Sequence, residues 1–239
     1  MARLRSALRK ALTLTAMKRT AIYTAIFGGH DDLHEQPVCP GVDYYCFTDD
    51  PTLSAEPWRV VDDAPRYDHP RLSAKWFRMH PHEVLSDYRH TIWIDGNFRL
   101  KSESFASEVL SYLDGRGFAI PMHPHRDNLI DEAAVSLEMD KYKDAPIMEQ
   151  IEHYRSEGFD PGHGLWMTGL LARDNENDLI RTMNEMWMEE NLRWTYQDQI
   201  SLPYVLWKLD ITPAQIPFSG TLRNNNLFLI DFHRTSTGI

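Results

Sequence analysis

Thr91-Ile92-Trp93-Ile94 is a short apolar run that stops abruptly at Asp95-Gly96-Asn97, and a second alternation, Phe98-Arg99-Leu100, follows at once. Such a run, rich in β-branched and aromatic residues and closed by turn residues, predicts a buried strand. Gly96 lets the backbone turn where a side chain would crowd it. Asp95 and Asn97 then lie two residues apart at a strand end. Both offer hard oxygen ligands of the kind that suit Mg²⁺ or Mn²⁺ on a diphosphate. The other reading is a turn in which both side chains merely hydrogen-bond the backbone.

The same pattern recurs along the chain. Thr20–Phe27, Val42–Thr48 and Trp58–Val61 predict strands, the first closed by Gly28-Gly29 and the second by Asp49-Asp50-Pro51. Gly117–Pro121 and Leu165–Ala172 predict two more. Helical spacing covers Arg71–Leu85 with Pro81 interrupting or restarting it, Glu103–Leu113 with Ser102 as cap, Arg126–Met139, Ala145–Ser156, Asn175–Glu190 and Gln197–Leu209. The last thirty residues, with Pro213, Pro217, Gly220 and Asn224-Asn225-Asn226, predict an irregular tail. Alternating strands and helices predict an α/β fold, with a mostly parallel sheet flanked by helices in a single domain. Ligands in such sheets sit beyond the carboxyl ends of the strands. The polar clusters Gly28–Asp32, Thr48–Asp50 and Asp95–Asn97 all fall at such ends.

Charge and cysteine content remove several classes. A net charge of −10 argues against general nucleic-acid binding. Cys39 and Cys46 form no CxxC pair, so a structural zinc site is not expected. They read as reduced thiols or as one disulfide. GxxxxGK[ST], HExxH and GxSxG are absent. The first 19 residues are basic, with no acid before Asp31, and carry Leu4, Leu8, Ala11, Leu12 and Thr15 at helical spacing. Residues 1–19 thus read as an amphipathic extension, either a peripheral reader of anionic lipid or a solvated arm, before a domain over residues 20–239.

Four further clusters carry chemistry. Tyr196-Gln197-Asp198-Gln199 opens a predicted helix, whose dipole favours Asp198. His233 is a candidate Mn²⁺ ligand or a surface residue. Arg71 and Lys75 lie four apart on one helix face, suiting a phosphate, a carboxylate or plain solvation. His123-Pro124-His125-Arg126 matches zinc spacing poorly and reads as acceptor-side or structural.

Tyr23–Leu33, Asp43–Pro51, Trp93–Asn97 and His123–Arg126 occur in an order that resembles the glycosyltransferase-like domain family of plant mucilage-biosynthesis proteins and bacterial members. The resemblance runs from about Thr20 to His233. It implies a GT-A (Rossmann-like) fold, a nucleotide-sugar donor such as a UDP- or GDP-sugar, and Mn²⁺ or Mg²⁺. Asp95 and Asn97 fall on the ends of that fold's Asp-x-Asp motif, with an amide in place of the second carboxylate. Tyr196–Gln199 is similar to a segment of glycogenin-like retaining enzymes, which implies that Asp198 contacts the donor sugar and Gln199 lies beneath its anomeric carbon. His233 matches the histidine that completes the metal shell there.

The resulting expectation is a metal-assisted, retaining, hexosyltransferase-like enzyme of polysaccharide biosynthesis. Thr24, Ala25 and Phe27 line the nucleotide pocket, Asp49 and Asp50 approach base or ribose, and Arg71, Lys75 and Asp95 face the donor. Asp95, Asn97 and His233 hold the metal, and His123 and Arg126 lie on the acceptor side. The acceptor is a glycan or a lipid-linked glycan, and the location is cytoplasmic, peripheral on the inner face of a membrane. The alternatives are a non-catalytic domain that binds sugars or nucleotide sugars, and a metal-dependent phosphodiesterase, which would want more carboxylates near Asp95.

Overall fold

The computed structural model describes residues 20–233. The basic segment 1–19, with the amphipathic helix and the membrane contact expected of it, lies outside the described residues. Seven strands form one sheet in the order β3-β2-β1-β4-β7-β6-β8. They are β1 (Thr20–Ile26), β2 (Val42–Thr48), β3 (Arg59–Asp62), β4 (His90–Ile94), β6 (Phe118–Ile120), β7 (Leu170–Asp174) and β8 (Ala214–Gln215). β1 to β4 are mutually parallel, β6 and β8 are parallel, and β7 alone runs against both its neighbours. Seven described helices flank the sheet: α1 (Pro70–Met79), α2 (Pro81–Val84), α3 (Phe105–Ser111), α4 (Leu129–Leu137), α5 (Ile147–Ser156), α6 (Asp178–Arg193) and α7 (Asp198–Lys208). The architecture is the α/β, mostly parallel, Rossmann-like single domain expected.

Side-chain alternation along β1 and β4 divides the apolar interior into two layers. Ala21, Tyr23, Ala25, Phe27 and Trp93 join α1, α5, α6 and α7 on one face. Ile22, Ile26, Ile92 and Ile94 join α3 and the small strands on the other. Cys39 and Cys46 are free and buried in that second layer. Pro81 splits the predicted long helix: α1 closes at His80, and Pro81 opens α2, where its missing N–H costs nothing.

Four expectations are corrected. Helix α3 is capped at Ser104, and Ser102 instead accepts the Ser104 N–H through its hydroxyl. The helix predicted from Arg126 begins at Leu129, because the Asn128 side chain accepts from the Asp131 N–H and fixes the start there. The strand predicted over Leu165–Ala172 begins only at Leu170. Before it, Trp166 makes an isolated bridge to Met122. The tail is not irregular throughout. β8 closes the main sheet, and β9 (Phe228–Ile230) pairs antiparallel with β5 (Phe98–Leu100), the strand that follows the Asp95–Asn97 turn. Three-residue strands paired across more than a hundred residues leave no local periodicity to read.

Candidate active site

A cleft of about 200 Å³ opens beyond the carboxyl ends of β1 and β4. At β1 the chain order steps to β2 on one side and β4 on the other, the kind of switch point where open α/β sheets bind ligands. One wall is α1, whose Arg71, Lys75 and Arg78 recur at i, i+4 and i+7 and so share a face. The floor is Trp93, Asp95 and Gly96, and the N-terminus of α7 brings Gln197, Asp198 and Gln199. Lys141 and Tyr142 come from the loop between α4 and α5.

Arg78 ties the site together. Its guanidinium bridges Asp198 and Asp95, the latter at 2.7 Å, and lies 5.0 Å from the centre of the Trp93 ring. The Arg78 carbonyl accepts from the Tyr23 hydroxyl and from Arg173, which fixes the backbone beneath. Asp198 also pairs with Lys75 at 2.7 Å and accepts from Thr168 at 3.3 Å. Burial alone would raise the Asp198 pKa, but Arg78 and Lys75 outweigh it and hold the carboxyl below its usual range. Burial pushes the Lys75 ammonium down to about 8 against the opposing pull of Asp198. Asp95 is held more loosely: it accepts from Trp93 Nε1 at 2.8 Å, and its side chain is 31% exposed. Its backbone N–H donates to Gly169, where a Cβ would stand 3.0 Å from the Asp95 carboxylate, so only glycine lets the two strand ends meet.

Ala25, Phe27, Arg71, Lys75, Asp95, Asp198, Gln199 and His233 line the cleft. Gln199 is fixed by its amide nitrogen, which donates to the Trp166 carbonyl. Thr24 is not among the lining residues: strand parity turns it to the sheet face opposite Ala25 and Phe27, where its hydroxyl is buried without a partner. Asp49 accepts the Gly28 N–H, and Asp50 caps the turn through Thr52, so both shape strand ends outside the cleft lining. His123 and Arg126 are not among the residues that line the cleft. Arg126 pairs with the buried Glu132 at 2.6 Å, and Glu132 in turn accepts from Gln197, which lines the cleft. Burial, with Arg126 beside it, takes His123 down to about 4, so its ring is neutral near pH 7.

Of the three predicted metal ligands, Asp95 and His233 line the cleft and Asn97 is not among its lining residues. Asn97 is buried and fastens the tail: its Nδ2 donates to the Asp231 carbonyl at 2.9 Å, and the Asp231 N–H donates back to the Asn97 carbonyl at 2.9 Å. Its side-chain oxygen is buried and accepts no hydrogen bond. Arg99 pairs with Asp231, and His34 lies 3.4 Å from the same carboxylate. His233, two residues on, meets Asp31 at 2.6 Å and stacks on His30 with ring centres 4.6 Å apart. Ligand atoms of His30, Asp31 and His233 all lie within 4.8 Å of one another. Two imidazoles and a carboxylate are a donor set that fits a divalent first-row cation.

Sequence reasoning passed over Arg78, Trp93, Thr168, Lys141 and Tyr142 as site residues. Arg78 had a signal, since it continues the Arg71/Lys75 stripe. Lys141 and Tyr142 sit in a loop and had none.

A curated relative, the probable hexosyltransferase MUCI70 of Arabidopsis thaliana, is 24% identical over 230 residues, covering 83% of this chain and 39% of that protein. The chain thus spans well under half the length of the curated relative it matches. The TOD1/MUCI70 glycosyltransferase-like domain matches residues 9–228, and the chain belongs to that family.

Proposed function

We propose that this chain transfers a hexose from a nucleotide-sugar donor to a glycan or lipid-linked acceptor. The observation that carries the reading is the charge balance of the cleft. Arg71, Lys75, Arg78 and Lys141 converge on it, while Asp198 and Asp95 are already engaged by Lys75 and Arg78. Among the described residues, Arg71 and Lys141 enter no ion pair with a carboxylate. Their positive charge remains for a diphosphate, a dianionic leaving group that a UDP- or GDP-sugar supplies.

A divalent cation such as Mn²⁺ or Mg²⁺, when bound, supplies a Lewis acid that offsets charge on the departing diphosphate. His233 at the cleft mouth, with a carboxylate of the adjoining loops, would hold it. Arg71 and Lys141 bind and orient the phosphates, and Phe27 offers an apolar wall. Asp198 is acceptor-only and locked by two cations, which favours a role in holding sugar hydroxyls over nucleophilic attack. Gln199 is an amide and a poor nucleophile. Those two features favour a retaining, front-face displacement over a covalent intermediate.

A panel of UDP- and GDP-hexoses, with released nucleoside diphosphate as the readout and Mn²⁺ added or chelated, tests the proposal. Turnover of one donor, with Arg71→Ala or Lys141→Ala raising its KM about tenfold, is expected. Calorimetric binding without turnover would support the non-catalytic alternative, and no binding by any nucleotide sugar would refute both.

A further inference from the structure

We propose that His30, Asp31 and His233 form the divalent-cation site of this chain, taking a borderline first-row ion such as Mn²⁺, and that Asp95 is not a ligand in the donor-free protein. The site stands on its own geometry; only its service to a donor diphosphate rests on the function proposed above.

Metal–ligand bonds of roughly 2.0–2.2 Å put ligand atoms roughly 3–4.4 Å apart around one ion. The three side chains already hold theirs within 4.8 Å of one another, so side-chain shifts of up to about 1–2 Å close the shell. Mixed nitrogen and oxygen donors favour Mn²⁺, Fe²⁺ or Zn²⁺ over Mg²⁺, which prefers oxygen and retained water. Three protein ligands leave positions open for phosphate oxygens. One carboxylate and two neutral imidazoles give a single negative charge, so the loaded site is cationic and attracts an anion.

Two further observations point to the same place. Asp31 reaches toward the Asp95–Asn97 turn, its second oxygen 3.2 Å from where a Gly96 Cβ would stand, so glycine there keeps the space that the carboxylate uses. His233 is held over a loop 202 residues away, behind a tail pinned at Asp231 by Asn97 and Arg99. Asp95, by contrast, lies outside this three-residue group, and its Oδ1 accepts from both Arg78 and the Trp93 indole.

Mn²⁺ titration of the full chain without donor, followed by the electron paramagnetic resonance signal of free Mn²⁺, decides the matter. One bound ion is expected. Asp31→Asn and His233→Gln should each weaken binding at least tenfold, and Asp95→Asn should leave it within twofold. Thermal melts monitor folding, and His30→Gln substitutes for any ligand variant that fails to fold. No binding by the parent chain would overturn the proposal, as would loss with Asp95→Asn and retention with Asp31→Asn. Because no donor is present, failure here is separate from failure of sugar transfer, which is read by released nucleoside diphosphate.

Discussion

Arg78→Met keeps a long apolar stem over the Trp93 ring but removes the guanidinium that joins Asp95 to Asp198. The two carboxylates should respond unequally. The Asp198 side chain is 4% exposed and that of Asp95 is 31% exposed. A close pair shielded from water carries a Coulomb attraction of about 4 kcal/mol at an effective dielectric constant near 20, against about 1 kcal/mol in water. Part of the first figure is offset by desolvation, and Lys75 still serves Asp198 after the change. The double-mutant cycle Arg78→Met with Asp198→Asn should therefore give a coupling of about 2–3 kcal/mol, and the cycle with Asp95→Asn about 1 kcal/mol or less. Arg78→Met alone should cost about 3–5 kcal/mol, because it strands a buried charge. For a chain of this size that lowers Tm by roughly 10 °C. Urea unfolding of the single and double variants measures all of these. If the Asp95 coupling equals or exceeds that of Asp198, the idea that Asp95 is the loosely held partner, able to exchange Arg78 for a ligand, is wrong.

Lys75, with its pKa near 8, makes the protein sensitive to alkaline pH. Unfolding restores an ordinary lysine near 10.5, so the unfolded chain binds the extra proton between pH 8 and 10.5. The penalty for burying the ammonium is complete below pH 8 and is relieved as pH climbs toward 10.5. The stability of the parent chain relative to Lys75→Met should rise across that window, and a flat difference would show that the ammonium is not buried. Nucleoside diphosphate affinity should move the opposite way, falling severalfold from pH 7 to pH 9 in the parent chain and falling less in Lys75→Met, as read by calorimetry. Asn97→Asp replaces an N–H donor with a carboxylate facing the Asp231 carbonyl. It should cost about 1–3 kcal/mol in urea unfolding, whereas a gain in stability would mean that the tail is not clasped as described. Glu132→Gln should leave Arg126 without its anion and loosen Gln197, raising the acceptor KM more than the donor KM; an equal rise in both would place Glu132 outside acceptor binding.

The sheet was legible because buried strands print their period directly: Thr20–Ile26, Val42–Thr48 and His90–Ile94 are apolar runs stopped by polar turns. The same regularity sets Thr24 apart from its neighbour: it directly precedes the cleft residue Ala25, and strand alternation turns it to the other face of the sheet. Asp198 was legible as a helix start, and the likeness of Tyr196–Gln199 to retaining enzymes singled it out. Its grip by Lys75 and Arg78, 120 residues away for Arg78, was not, since pairing across the fold leaves no spacing to read. His233 stood out as a lone histidine that the family resemblance matched to a metal ligand, whereas its partners His30 and Asp31 were visible only as polar residues after a strand. The amide at Asn97 read as a weakened metal ligand, and its Nδ2–H bond to the Asp231 carbonyl, which an aspartate could not make, left no sign in the sequence.

That clasp has a consequence in time. β5 meets β9, and Asn97 meets Asp231, across about 130 residues. During synthesis all seven strands of the main sheet, through β8 at Ala214–Gln215, leave the ribosome before the residues that complete the cleft mouth. A nascent chain can thus assemble its sheet while still lacking β9, Asp231 and His233. Products that stop before β9 would carry the scaffold with an unfinished cleft mouth.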